Sequence, residues 1–174
     1  RGELLPVGGL YAWRRDGEKG GKKVWDENFG PLKAANFGIS GDRTQHVLWR
    51  LENGEMQGIR PKVIVLMIGT NNTGFERDNT TPRNTPAEAS AGVATILKKL
   101  RSYQPQAKIL LLAVFPRGEK PDNPGRVQVN AINASIAPLA DGKMIRYLDL
   151  GPKFLAADGT LPKEIMPDSL HPNE

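Results

Sequence analysis

Two short apolar runs, residues 63–68 and 109–115, constrain this chain more than any other feature. Neither alternates with polar residues, as a strand with one wet face would. Both are far too short to span a bilayer, which takes about 20 apolar residues in a helix. The first is bounded by Pro61 and Gly69 and the second is followed by Pro116, so they read as strands buried on both faces of a parallel sheet. The segment between them starts a helix cleanly. Thr85 is the N-cap, Pro86 takes the first helical position and Glu88 completes a capping box. Val93, Ile96, Leu97 and Leu100 then form one apolar stripe.

The rest of the chain repeats this alternation. Residues 43–52 read as a helix, with Val47, Leu48 and Leu51 at helical spacing and Gly54 beyond the end. Val129, Ile132, Ile136 and Leu139 mark another helix, and 144–150 another strand. Residues 24–29 read as a short helix, 34–39 as a strand and 152–156 as a helical turn. Leu4, Leu5 and Val7 allow a first strand, which Pro6 weakens. Alternating strands and helices predict one domain over 1–174, a three-layer α/β/α sandwich on a central parallel sheet, flavodoxin-like in outline. Ligands in such sheets sit at the carboxyl ends of the strands. That points to the loops 38–44, 69–75 and 158–174.

Composition narrows the chemistry. Cysteine is absent and histidine occurs only at positions 46 and 171, so thiol chemistry is excluded and a zinc site lacks ligands. No metal or other cofactor is expected. The net charge is +5, with basic clusters at 14–23 and 98–101. No aromatic residues interleave them as a stacking platform, so they read as solvated faces and nucleic acid is not an expected partner.

The three loops carry residues suited to acyl chemistry. Gly38-Ile39-Ser40-Gly41-Asp42 leads into a helix, where exposed backbone N–H groups can receive an anion. The same residues also suit an ordinary strand-to-helix turn capped by Asp42. Asn71, in Gly69-Thr70-Asn71-Asn72, can aim a side-chain N–H at developing negative charge, although Asn is also a common turn residue. In Asp168-Ser169-Leu170-His171 the acid can orient the imidazole, leaving His171 as a general base. His46, beside Val47 and Leu48 in a helix, reads as structural. Arg117 and Lys120 read as solvated surface, in a loop, 116–125, that with 73–85 would shape a substrate cleft.

Taken together and in order, these segments resemble the SGNH (GDSL-type) esterases, and most of all the branch of the platelet-activating-factor acetylhydrolase catalytic subunits. The matching text runs from Asn36-Phe37-Gly38-Ile39-Ser40-Gly41-Asp42 through Val47-Leu48-Trp49-Arg50-Leu51 and Gly69-Thr70-Asn71-Asn72 to Asp168-Ser169-Leu170-His171. The resemblance implies a serine esterase acting on small acyl esters, acetyl foremost, through an acyl-enzyme and without metal. It assigns the general base to His171, its partner to Asp168, and oxyanion donors to the Gly41 N–H and the Asn71 side chain. It also implies a small-molecule ester as the binding partner. It leaves the oligomeric state open, a homodimer included.

The sequence departs from the family at both ends. The nucleophilic serine belongs in a Gly-Asp-Ser segment after the first strand, near Gly8, Gly9 and Leu10, but no serine precedes Ser40. Ser40, beside the oxyanion glycine, is the alternative nucleophile. Ser90, Ser102 and Ser135 fall in or at the ends of predicted helices, and Ser169 inside the Asp-x-x-His segment. The family also continues into a final helix, whereas three residues follow His171 here. These departures raise a second reading, a catalytically impaired domain of the same fold that binds esters or acetylated carbohydrate. The first residue is Arg, so an upstream segment, such as a leader to the periplasm or the exterior, would precede it, and the compartment stays open.

Overall fold

The computed structural model describes residues 4–7 and 22–173. Among these residues four strands, β1 (Leu4–Val7), β2 (Val63–Leu66), β3 (Lys108–Leu112) and β4 (Ile145–Leu148), form one sheet in the order β1-β2-β3-β4. All three pairings are parallel, as the apolar runs predict. The helices are α1 (Lys22–Asn28), α2 (Thr44–Glu52), α3 (Pro86–Tyr103) and α4 (Pro124–Ile136).

Register decides which side chains share a face. Ile64 lies opposite Ile109, and Leu66 opposite Leu111. All four are buried in one cluster with Val47 and Leu51 of α2, Val93, Ile96 and Leu100 of α3, and Val129, Ile132 and Ile136 of α4. The three crossover helices therefore cover the same face, as crossovers of one hand between successive neighbours require. Burying each of these Leu and Ile side chains contributes about 1.5–3 kcal/mol. On the opposite face Val63, Val65, Leu110 and Leu112 are half-buried, and in β4 Arg146 and Leu148 are exposed. Burial on both faces is thus complete only on the helical side.

The helix N-termini are built from local chemistry. Thr85 and Glu88 form the expected capping box, with the Glu88 N–H donating to Thr85 Oγ1 and the Thr85 N–H to Glu88 Oε2. At α2 the imidazole of His46 takes the place of the glutamate, its Nδ1 accepting the Arg43 N–H at 3.1 Å. His46 is structural, as its helical position suggests. α2 packs closely on α3: a Cβ at Gly92 would meet Thr44 Oγ1 at 2.5 Å. Glycine there lets the N-terminus of α2, and the turn before it, settle against α3.

Residues 34–39 form no strand, contrary to the expectation. Ala35 and Phe37 do pack against the core. The Asn36 side chain, however, accepts the Gly38 N–H at 2.8 Å and turns the backbone there. The segment is an extended approach to α2 and, among the described residues, pairs with no strand.

Candidate active site

β1 ends at Val7, in register with Leu66 of β2. At Met67, the first residue after β2, the wall of a cavity of about 390 Å³ begins. The cavity lies at the carboxyl ends of β2 and β3 and is walled by Met67, Ile68, Val114, Phe115 and Leu170. Gly41, Asn71 and His171 all line it, and so does Ser40. Residues of 73–85 and 116–125 do not, so those loops shape the cleft less directly than expected: the strand ends and residues 170–172 form its walls. Gly8, Gly9 and Leu10, where the family's nucleophile belongs, lie outside the described residues.

The first turn is tight. Asp42 N–H donates to Ile39 O at 3.2 Å, and Gly41 sits at φ +84°, a conformation that favours glycine. The Asp42 carboxylate is buried and does not cap the helix. Its Oδ2 accepts a hydrogen bond from Arg50 at 2.7 Å, and the Arg50 Nε donates to Glu55 at 2.6 Å. Burial opposes the Arg50 charge, but the bonds to Glu55 and Asp42 outweigh it and raise the guanidinium pKa above its ordinary value. The other end of Asp42 faces the second loop, where its carbonyl accepts the Asn71 Nδ2–H at 3.0 Å. One residue thus ties both turns together, and the second Nδ2 hydrogen of Asn71 is left over from this bond.

Asn71 belongs to a 3₁₀ turn, Thr70–Asn72, entered through Gly69 at φ +134°. Its neighbour Asn72 is 1% exposed and anchors the turn. Asn72 Oδ1 accepts the Thr44 N–H at 3.1 Å, and its Nδ2 donates to Thr44 Oγ1 at 3.1 Å and to Asn84 Oδ1 at 2.9 Å. Of the pair Asn71-Asn72, one side chain is structural and the other faces the cavity.

The third turn places acid against base. Asp168 Oδ2 lies 2.6 Å from His171 Nδ1, while Oδ1 accepts the amide N–H groups of His171 at 2.7 Å and Leu170 at 3.0 Å. Ser169 takes φ +55° so that the carboxylate can fold back on the chain. Burial alone would raise the Asp168 pKa, but the imidazole and the two amides more than compensate and leave it below the ordinary carboxyl value. Because the folded value is depressed, the stability this group contributes is complete above the unfolded value of about 3.9 and is lost as pH falls through the folded one. Asp168→Asn should therefore flatten part of the acid limb of the stability curve, measured by thermal unfolding between pH 2 and 6.

Sequence reading missed the role of Arg117. Its guanidinium is no solvated surface group: it donates to Thr70 O at 2.9 Å and to Thr73 Oγ1 at 2.8 Å. Nor did sequence reading mark Asn72 or Arg50. All three act through partners distant in sequence or through backbone carbonyls, and leave no periodic trace. Ser90 and Ser135 bond to carbonyls one helical turn back, on α3 and α4. Among the described residues no group of three or more His, Cys, Asp or Glu could hold a metal ion, and no helix is long and apolar enough to cross a membrane.

A parallel sheet with helical cover and a cleft at the strands' carboxyl ends places the molecule among the α/β sandwich proteins. More particularly, the chain belongs to the GDSL-like lipase/acylhydrolase family, whose model it matches over residues 9–174. It is 43% identical over 150 residues to platelet-activating factor acetylhydrolase IB subunit alpha1 of Homo sapiens, covering 86% of this chain and 61% of that protein. It is likewise 43% identical over 150 residues to subunit alpha2 of Gallus gallus, with the same coverage, 86% and 61%. The chain thus spans about 60% of the length of the curated relatives it matches. The fold is similar to that of the acetyl xylan esterase AlAXEase, with TM-score 0.75 at 21% identity over 98% of this chain and 91% of that one. It is also similar to Axe2, an acetylxylan esterase from Geobacillus stearothermophilus, with TM-score 0.72 at 16% identity over 97% and 85%.

Proposed function

We propose that the protein hydrolyses small acyl esters, acetyl esters foremost, with His171 as general base, Asp168 as its partner and Gly41 and Asn71 as oxyanion donors. The observation that carries this reading is convergence: the imidazole coupled to Asp168 lines the same cavity as Gly41 and Asn71. With a serine at the end of β1, His171 would accept the hydroxyl proton as oxygen attacks the carbonyl carbon. The resulting oxyanion would be held by the Gly41 N–H and Asn71 Nδ2, and the proton would pass to the leaving alcohol. Water, activated by the same histidine, would then release the acyl group. The apolar walls suit the short acyl chain.

A second reading, a binding domain that hydrolyses esters poorly, is favoured by the absence of serine from Gly8, Gly9 and Leu10. In that form the histidine and the oxyanion donors would act on water alone. The family's acyl-enzyme route and this residual route differ in one measurement. Hydrolysis of p-nitrophenyl acetate should be slow, should disappear in His171→Ala and should resist a fluorophosphonate probe. Rapid turnover with fluorophosphonate labelling of Ser40 would instead assign the nucleophile to Ser40. No turnover, with retained binding of acetylated ligands, would leave the binding domain standing.

A further inference from the structure

We propose that Arg117 is a positioning residue that holds the oxyanion turn, Thr70–Asn72, at a fixed distance from the Asp168–His171 turn. The inference rests on the esterase reading of the cleft. Arg117 reaches one turn with its side chain, donating to Thr70 O at 2.9 Å and Thr73 Oγ1 at 2.8 Å. It reaches the other through its own backbone neighbour, since the Gly118 N–H donates to Ser169 O at 2.8 Å. Two consecutive residues therefore join the half of the cleft that would receive negative charge to the half that would move the proton.

The linker is itself clamped. Arg126 of α4, only 3% exposed, donates from Nε to Arg117 O at 2.9 Å, from one terminal nitrogen to Gly118 O at 2.5 Å and from the other to Gly159 O at 3.2 Å. Gly118 sits at φ +76°, where a Cβ would fall 2.2 Å from the Asn123 side chain, so no other residue fits. On the oxyanion side Arg83 donates to Asn71 O at 3.1 Å, which fixes the next carbonyl along.

The charge placement separates this arrangement from ordinary salt-bridge packing. Neither Arg117 nor Arg126 has a carboxylate partner among the described residues, whereas Arg43 and Arg50 do. Burial, together with the nearby Arg83 charge, lowers the Arg117 pKa. A buried or half-buried cation that bonds only neutral oxygens costs desolvation without an ion pair in return. What it supplies is a fixed, directional set of donors. Small shifts of the groups it holds matter, because a misplacement of about 1 Å can cost two orders of magnitude in rate.

The test compares Arg117→Met and Arg117→Lys, with exposed Arg77→Met as control. The chain has two histidines, so imidazole ¹H–¹⁵N spectra are unambiguous and His46, held by Arg43, serves as an internal reference. Arg117→Met should shift the Asn71 side-chain amide and the His171 imidazole signals while those of His46 stay in place. With p-nitrophenyl acetate, kcat should fall about tenfold with KM within about twofold, and Arg117→Lys should recover part of the loss. If the methionine variant does not fold, Arg117→Gln, too short to reach Thr70, is measured in the same way. Unmoved Asn71 and His171 signals in a folded variant overturn the proposal. So does a general loosening in which His46 shifts equally. The spectra need no turnover: displaced signals in an inactive chain uphold the role of Arg117 and count against the esterase reading alone.

Discussion

Gly9→Asp combined with Leu10→Ser should raise acetyl ester turnover by about 10³-fold or more. The reason is positional. β1 ends at Val7 opposite Leu66, and the cavity wall starts at Met67, the first residue after β2. A Gly-Asp-Ser segment placed directly after Val7 belongs, on the family's pattern, beside the Asp168–His171 couple. Serine proteases that lose a triad member retain only about 10³–10⁴-fold catalysis over water, so supplying the missing member should restore the larger share. The gain should vanish when His171→Ala is added, since a serine hydroxyl without a base is a weak nucleophile. Steady-state hydrolysis of p-nitrophenyl acetate by the unaltered, doubly and triply substituted chains measures all three. A double substitution that folds, binds acetyl esters and gains nothing would remove the triad from the proposed function. Strong, His171-dependent turnover by the unaltered chain would do the same for this position and move the search to Ser40.

Asn71→Ala should lower turnover by about a hundredfold in whichever form is active, the usual cost of deleting one oxyanion donor. The effect on stability should be smaller, about 1 kcal/mol, because the lost protein contact is the single bond from Nδ2 to Asp42 O. Asn72→Ala should show the reverse. That side chain is buried and bonded to Thr44 and Asn84, so its loss should cost stability, about 2–3 kcal/mol, before it costs rate. Paired measurements of kcat and thermal midpoint separate the two neighbours. Equal rate losses in both variants, with equal destabilisation, would mean that Asn71 only holds the turn together.

Where local chemistry decided the structure, the sequence could be read directly. The start of α3 is an example: Thr85, Pro86 and Glu88 settle it within four residues. β2 and β3 were legible because a parallel strand next to helices needs an unbroken apolar run. Residues 34–39 misled because Ala35 and Phe37 pack against the core, and apolar content alone does not say that a strand has an edge to join. The loops at the strand ends were legible as a set, through their resemblance to one family. What joins them was not. Arg117 reaches Thr70 across 47 positions and Asn72 reaches Thr44 across 28. Such bonds follow from the packed geometry, and a side chain that donates to a carbonyl leaves no partner residue type to search for.

The strand order has a consequence for synthesis. Because the sheet runs β1-β2-β3-β4, each strand leaving the ribosome finds its neighbour already made, with the intervening helix ready to dock. None of these four described strands waits for a later one to be inserted between it and its partner. These four strands can therefore condense in the order of translation while the residues after β4 are still in the exit tunnel. The turn holding Asp168 and His171 comes after β4, so a nascent chain can fold this sheet before that turn has been made.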